Sequence, residues 1–73
     1  MPSPRKKGNF NCILYGPRGR AGIQRCLSLR YAIKVAEDWA AEHSMNYASV
    51  RRITDAKPIG LAAMRFGGFR FES

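Results

Sequence analysis

The stretch at residues 28–43, SLRYAIKVAEDWAAEH, decides the fold of this chain. Its apolar residues recur with a helical period, so they gather on one face of a helix while the charged residues lie opposite. Ser28 suits the N-cap position. The sequence therefore predicts an amphipathic helix of about four turns, which must pack on another layer. Its apolar face consists of Leu29, Ala32, Val35, Ala36, Trp39, Ala40 and His43.

Strand patterns flank this helix on both sides. Residues 9–15 and residues 46–54 alternate in the way that half-buried strands do. Residues 23–27 read as a short strand that pairs back on the first one. Residues 16–22 hold three glycines and a proline and predict a loop, and residues 54–60 predict a turn or loop.

The C-terminal stretch RFGGFRF, residues 65–71, allows a hairpin. Gly-Gly suits a two-residue turn, because both central positions need a positive φ. A strand that ran straight through both glycines would split the apolar residues between two faces, whereas the hairpin gathers them on one face. The hairpin predicts that Phe66, Phe69 and Phe71 are core residues and that Arg65 and Arg70 face outward as a cationic pair. It pairs Phe66 with Phe69, Met64 with Phe71 and Arg65 with Arg70.

A short helix is the alternative for the same stretch. The preceding segment LAAMRF contains helix formers, Pro58 could begin a helix, and Gly67 could end it. Residues 61–66 are therefore either a strand or a short helix.

These elements predict a single α+β domain at residues 9–73, in which one amphipathic helix packs on a small, mainly antiparallel sheet of three to five strands. Trp39 is expected at the centre of its core. Residues 1–8, MPSPRKKG, predict a flexible basic tail. A chain of 73 residues lies near the lower size at which a domain buries an adequate core unaided.

The charge is the strongest global signal. Thirteen lysines and arginines oppose five acidic residues, and the net charge is +8. The helical segment carries −1, so the other residues carry +9. Such a balance predicts an acidic partner, either a nucleic acid or an acidic protein surface. The residues that we predict to contact it are Arg5, Lys6 and Lys7 in the tail, Arg18 and Arg20 in the first loop, and Arg51, Arg52, Arg65 and Arg70.

Two nucleic-acid motifs match weakly. The RNP1 strand of RNA-recognition domains shares only Arg65, Gly68 and Phe69 with RFGGFRF. Residues 16–19, GPRG, fit the GXXG of KH domains, but they follow a strand instead of linking two helices. The first stretch is explained more simply by phenylalanines that pack in the core, and the second by a connecting loop whose glycines permit a turn.

Catalytic and metal-binding patterns are missing from the sequence. Glu37 and Asp38 are adjacent and point about 100° apart on a helix, so they cannot act as a general acid/base pair. His43 reads as a packed or capping residue. Two cysteines and one histidine are too few for a zinc site, and we expect Cys12 and Cys26 to be reduced and buried. The sequence predicts no enzyme, no cofactor, no secretory signal and no membrane span.

The whole chain, from MPSPRKKGNF to GGFRFES, resembles the small regulators of host RNA polymerase made by lytic phages of plant-pathogenic bacteria. The resemblance implies a protein in the cytoplasm of the host bacterium that binds the N-terminal region of the polymerase β′ subunit. It further implies inhibition of σ-dependent initiation and read-through of terminators. We expect a monomer. A direct single-stranded nucleic-acid-binding protein is the alternative, and a structural role in the virion is a third possibility.

Overall fold

A computed structural model of the chain describes residues 9–55 and 57–72. Its five strands form one antiparallel sheet in the order β2-β1-β3-β4-β5, and a single α-helix packs on one face. The predicted α+β class is confirmed. The elements are β1 (Phe10–Gly16), β2 (Gly19–Cys26), α1 (Leu29–Glu42), β3 (Tyr47–Arg52), β4 (Pro58–Ala63), a 3-10 helix (Met64–Phe66) and β5 (Gly68–Phe71).

Hydrogen bonds to side chains mark both ends of α1. The backbone N–H of Tyr31 donates to Ser28 Oγ at 3.1 Å, which confirms the predicted N-cap. His43 is the C-cap, and its Nδ1 accepts the N–H of Met45 at 3.0 Å. His43 thus occupies the C-cap position, one of the two roles predicted for it, while Asn46 Nδ2 bonds a carbonyl of the last turn by donating to Trp39 O at 3.0 Å.

The core is built from small side chains. α1 presents Ala32, Ala36 and Ala40, which lie four residues apart on one face and are almost completely buried. Methyl groups on this face allow the helix to approach the sheet closely. The sheet contributes Cys12, Cys26, Ala48, Val50 and Ala62.

Trp39 packs against this core without being its centre. Its ring is half-buried, and its Nε1–H donates to the carbonyl of Tyr15 at 2.9 Å, near the end of β1. The expectation that Trp39 forms the centre of the core is therefore wrong. Its indole N–H needs a polar partner when buried, and the backbone at the end of a strand supplies one.

The first hairpin is tighter than the predicted loop. Gly16 pairs with Gly19, so only Pro17 and Arg18 form the turn, and Gly19 takes a positive φ of 118°. β2 therefore begins at Gly19, four residues earlier than predicted. β2 contains a bulge at Ala21, which has no paired residue on β1. Tyr15 pairs with Arg20 on one side of the bulge, and Leu14 pairs with Gly22 on the other.

The C-terminal hairpin exists, but its predicted register is wrong. The connection spans residues 64–67, and Gly67, at φ 78°, ends the 3-10 helix with its N–H donating to the Met64 carbonyl at 3.0 Å. The short-helix alternative thus holds for three residues inside the hairpin. The pairs are Gly60 with Phe71, Leu61 with Arg70, Ala62 with Phe69 and Ala63 with Gly68.

Steric fit at Gly60 explains this register. A Cβ on Gly60 would lie 2.4 Å from Cζ of Phe69, so the Phe69 ring occupies the space that only a glycine leaves. Phe69 accordingly packs against the core, and Phe66 is half-buried outside it. Phe71 is 61% exposed, which contradicts the expectation that it is a core residue.

We predict that Gly60→Ala destabilises the fold and that the matched variant Gly22→Ala does not. The added methyl at Gly60 must displace Phe69 or the Arg70 carbonyl, and overpacking of this kind costs about 1–3 kcal/mol. Nothing lies within 4 Å of a Cβ at Gly22. Urea denaturation of the two variants measures the difference. Equal stabilities would contradict the placement of the Phe69 ring over Gly60.

We also predict that Cys12 makes stability depend on alkaline pH. Burial, followed by the nearby Cys26, raises the pKa of Cys12 from 9.0 to about 12. Because the unfolded thiol ionises first, its contribution to stability is present below pH 9 and is lost as the pH rises towards 12. The free-energy difference between the parent and Cys12→Ala should therefore be constant below pH 9 and shrink above it. A difference that stays constant up to pH 11 would contradict the buried, protonated thiol.

Candidate functional site

The face of the sheet opposite α1 is not covered by any α-helix of the described residues. Cross-strand pairing fixes which side chains stand on it, since paired residues point to the same side of a sheet. We call it the open face. It carries Asn11, Ile13, Tyr15, Arg20, Ile23, Arg25, Tyr47, Ser49, Arg51, Leu61, Ala63 and Arg70.

Two stacked tyrosines stand near one end of this face. Tyr15 on β1 pairs with Tyr47 on β3, and their rings lie 4.6 Å apart and nearly parallel, at 8°. Tyr47 is 40% exposed. Its other cross-strand neighbour is Ala63, followed by Gly68, so the row beside Tyr47 bears no side chain larger than a methyl group.

The charges of the open face are all positive. Arg20 and Arg25 are exposed on β2, Arg51 is half-buried on β3, and Arg70 is exposed on β5. None of the five described strands contains an aspartate or glutamate. Glu37, Asp38 and Glu42 lie on α1, on the far side of the sheet, and the turn after β3 places one carboxylate, Asp55, at the end of the open face.

Arg65 and Arg70 come together, but not as the predicted cross-strand pair. Their guanidinium carbons lie 5.2 and 4.9 Å from the centre of the Phe66 ring. Cation–π attraction thus holds two like charges beside one aromatic ring. An anion that accepts hydrogen bonds from both guanidinium groups would relieve their repulsion.

A groove of about 320 Å³ lies at the other end of the open face. Asn11 and Ile13 line it together with Arg20 and Arg51, and the turn after β3 adds Asp55. The Oδ1 of Asn11 is buried and has no hydrogen-bond partner. A larger groove of about 380 Å³ lies between α1 and the C-terminal hairpin, but Glu37 and Asp38 line it, so it is unsuited to an anion.

The structure brings together some of the predicted contact residues and separates others. Arg20, Arg51 and Arg70 share the open face, and Arg65 joins Arg70 at its edge. Arg20 lies in β2, which corrects its predicted place in a loop. Arg52 faces the other side of the sheet, 5.9 Å from the Phe10 ring centre, and Arg18 is exposed at the first turn. Arg5, Lys6 and Lys7 lie outside the described residues.

Sequence reasoning missed four residues of this site, namely Asn11, Tyr15, Arg25 and Tyr47. The alternation of the strands placed Asn11 and Tyr15 on one face, and it placed Tyr47 with Arg51. What the sequence did not carry was the register that brings Tyr15 against Tyr47 and sets Arg25 beside Asn11.

Two acidic side chains of α1 have structural partners. Asp38 lies 3.7 Å from the ammonium of Lys34, and Glu37 Oε2 accepts the backbone N–H of Phe69 at 2.9 Å. Within residues 9–55 and 57–72 no three histidine, cysteine or acidic side chains cluster as a metal site would require. The one α-helix of that part of the chain is too short and too polar to cross a membrane.

The fold and the site define a small α+β domain with a cationic and aromatic sheet face that no α-helix of residues 9–55 and 57–72 covers. Comparisons of the chain with models of protein families, with curated proteins and with solved structures find no match.

We predict that the charge of this site makes stability increase with salt. Raising the salt concentration from about 0.05 to 0.5 M screens repulsion between exposed cations. The parent should gain thermal stability, and the variant Arg65→Gln/Arg70→Gln should gain less because the two cations that share the Phe66 ring are gone. Arg30→Gln, on the outer surface of α1, is the control and should respond to salt like the parent. An identical response of all three proteins would show that the pair is not strained.

Proposed function

We propose that this protein binds single-stranded nucleic acid on its open face and acts without catalysis. The observation that carries the proposal is the stacked pair Tyr15 and Tyr47 on a sheet face whose charged side chains are all arginines. Arginines that bind phosphates and aromatic rings that stack on bases are the two components of single-strand recognition.

The arginines and the tyrosines occupy different parts of the open face. Five strands spaced about 4.8 Å apart make a face roughly 19 Å wide. Arg20 and Arg25 stand at its β2 edge, and Arg65 and Arg70 stand at its β5 edge. A strand that crosses the sheet can bind both edges through its phosphates and stack a base on Tyr47 between them.

Stacking favours an unpaired strand over a duplex. The bases of a duplex are already stacked on each other and present only their edges, whereas a single strand can turn a base onto an exposed ring. The face of Tyr47 that is turned away from Tyr15 borders Ala63, so the sheet itself does not fill the position beside it.

The first test measures binding of labelled oligonucleotides of about ten residues by fluorescence anisotropy. Tyr47→Ala should weaken binding by about 1–3 kcal/mol, the usual contribution of one base–aromatic stack, while Tyr47→Phe should bind like the parent. Circular dichroism must show that both variants are folded. Equal affinities of Tyr47→Ala and the parent would remove the tyrosine from the mechanism.

The second test uses salt to count phosphate contacts. Each lost contact to a single strand should lower the slope of log K against log salt by about 0.7. Arg65→Gln/Arg70→Gln should therefore lower it by about 1.4, and Arg30→Gln should leave it unchanged. Equal effects per arginine removed would mean that only total charge matters and that the open face is not the site.

A second candidate function is regulation of bacterial RNA polymerase through its β′ subunit. The resemblance noted above supports it, with inhibition of σ-dependent initiation and terminator read-through by a monomer in the host cytoplasm. The observation in its favour is that Ile23, 51% exposed, stands among the arginines of the open face. Apolar side chains mixed with arginine are typical of protein interfaces.

A pull-down from bacterial lysate, with and without nuclease, separates the two candidates. Recovery of polymerase subunits that survives nuclease supports the polymerase regulator, and Ile23→Ser should then reduce it. Recovery that depends on intact nucleic acid supports direct binding of nucleic acid. The variant Tyr31→Ser on α1 is the matched control, because it also removes an exposed apolar side chain.

A further inference from the structure

The strand β2 lies at one side of the sheet, and its outer edge has no neighbouring strand among the described residues. Hydrogen bonding on β1 shows which backbone groups face that edge. The N–H of Ile53 donates to the carbonyl of Asn9 at 3.0 Å, one residue beyond the pair of Phe10 with Arg52. Because bonding alternates along an antiparallel strand, the odd-numbered residues of β1 bond to β3 and the even-numbered ones bond to β2.

Ile23 and Arg25 therefore turn their backbone groups away from the sheet. They pair with Ile13 and Asn11, which bond to β3, so the N–H and C=O groups of Ile23 and Arg25 point outward. These four groups have no hydrogen-bond partner in the part of the chain that the structure describes. Both side chains are exposed, Ile23 at 51%. A row of unpaired donors and acceptors is a template for one more strand.

The strand at the other side of the sheet, β5, does not offer its edge in the same way. Glu37 Oε2 accepts the backbone N–H of Phe69 at 2.9 Å, so a carboxylate occupies that edge. β2 contains no acidic residue, lysine or proline that would block its own edge. The bulge at Ala21 interrupts its regular pairing. Residues 22–26 therefore form the stretch that is open to a partner.

The side chains beside this stretch decide the chemistry of the partner. Arg20 and Arg25 are exposed, lie on the open face with Ile23 between them, and make no ion pair within residues 9–55 and 57–72. A second copy of the chain would add two more arginines to a protein whose net charge is already +8, so repulsion opposes self-pairing. The phosphates of a nucleic acid accept hydrogen bonds but donate none, so they would leave the outward carbonyls unpaired. An acidic peptide supplies both N–H donors and negative side chains.

We infer that the outer edge of β2 binds an extended acidic segment of another protein, which adds to the sheet as an antiparallel strand. The backbone groups of Ile23 and Arg25 provide the affinity, and the alternate side chains provide the selectivity. The segment that fits has an apolar residue opposite Ile23 and acidic residues two positions to either side, facing Arg25 and Arg20. This surface goes beyond the proposed function, since it uses backbone groups of one edge and no aromatic ring.

The probe is a fluorescently labelled peptide of about seven residues, an ordinary strand length, with the core Glu-Thr-Val-Thr-Glu. In the antiparallel register the amides of valine and of both glutamates face β2, whereas the two threonine amides face away. N-methylation of the valine and glutamate amides should weaken binding about 10-fold or more, because several main-chain hydrogen bonds are lost. N-methylation of the two threonine amides should leave the affinity unchanged. The two methylated peptides carry the same charge, so each controls for the other.

The matching variant of the protein is Ile23→Pro, which removes the outward N–H at an edge position where proline is tolerated. It should lose most of the peptide binding. Ile23→Ala keeps the N–H and should lose less, and Tyr47→Ala, on β3, should bind the peptide like the parent. Circular dichroism and the melting temperature must show that each variant is folded.

Each outcome supports or overturns the added strand. A difference between the two methylated peptides, together with weak binding by Ile23→Pro, supports it. Equal binding of both methylated peptides means attraction by charge alone and overturns it. Absence of binding, or self-association of the free protein that Ile23→Pro abolishes, overturns the acidic partner. If Ile23→Pro does not fold, the methylated peptides decide. Oligonucleotide binding is measured separately, so failure here leaves the proposed function standing.

Discussion

The close approach of α1 to the sheet is the constraint on which the rest of the structure depends. Ala32, Ala36 and Ala40 repeat every fourth residue and meet Ala48 and Ala62 across the interface. Small side chains bury little area each, so a layer made of them contributes to stability only if helix and sheet touch along its whole length. Large residues such as Trp39 and Phe69 therefore pack around this layer instead of inside it. A chain of this size builds one such layer, and no helix of the described segments covers the other face of the sheet.

The division of charge follows from the same layering. The acidic side chains of α1 lie on its outer surface, and Glu37 uses its position to bind the N–H of Phe69 on the edge strand β5. That carboxylate protects an edge that could otherwise pair with another chain. The arginines of the open face have no comparable carboxylate within the five strands. The protein therefore has a helix side that is close to neutral and a sheet side that is strongly positive, and an acidic partner is attracted to only one of them.

The sequence was sufficient for elements whose signals are local. Ser28 marked the start of α1, and alternation located β1 and β3 within one or two residues. It was not sufficient for register, which depends on contacts between distant residues. The two glycines of RFGGFRF favoured a two-residue turn, but the space above Gly60, which lies outside that motif, determines where Phe69 sits. The Tyr15 and Tyr47 stack has the same origin, because a shift of one residue between β1 and β3 would turn one ring to the other face. Four residues of the candidate site were missed for this reason, although their residue types were all visible.

The buried oxygen of Asn11 is the point at which stability and the candidate site conflict. An unpaired buried acceptor costs about 1–3 kcal/mol, against a total of roughly 5–15 kcal/mol for a typical domain. The open face offers two ready solutions, since Arg25 and Arg51 are its cross-strand neighbours, yet neither donates a hydrogen bond to this oxygen. A leucine at this position would avoid the cost and continue the apolar floor of Ile13 and Ile23. An acceptor that a ligand completes, in contrast, costs stability in the free protein and returns it on binding. The asparagine at position 11 therefore costs stability for a reason that the packing of the free protein does not supply.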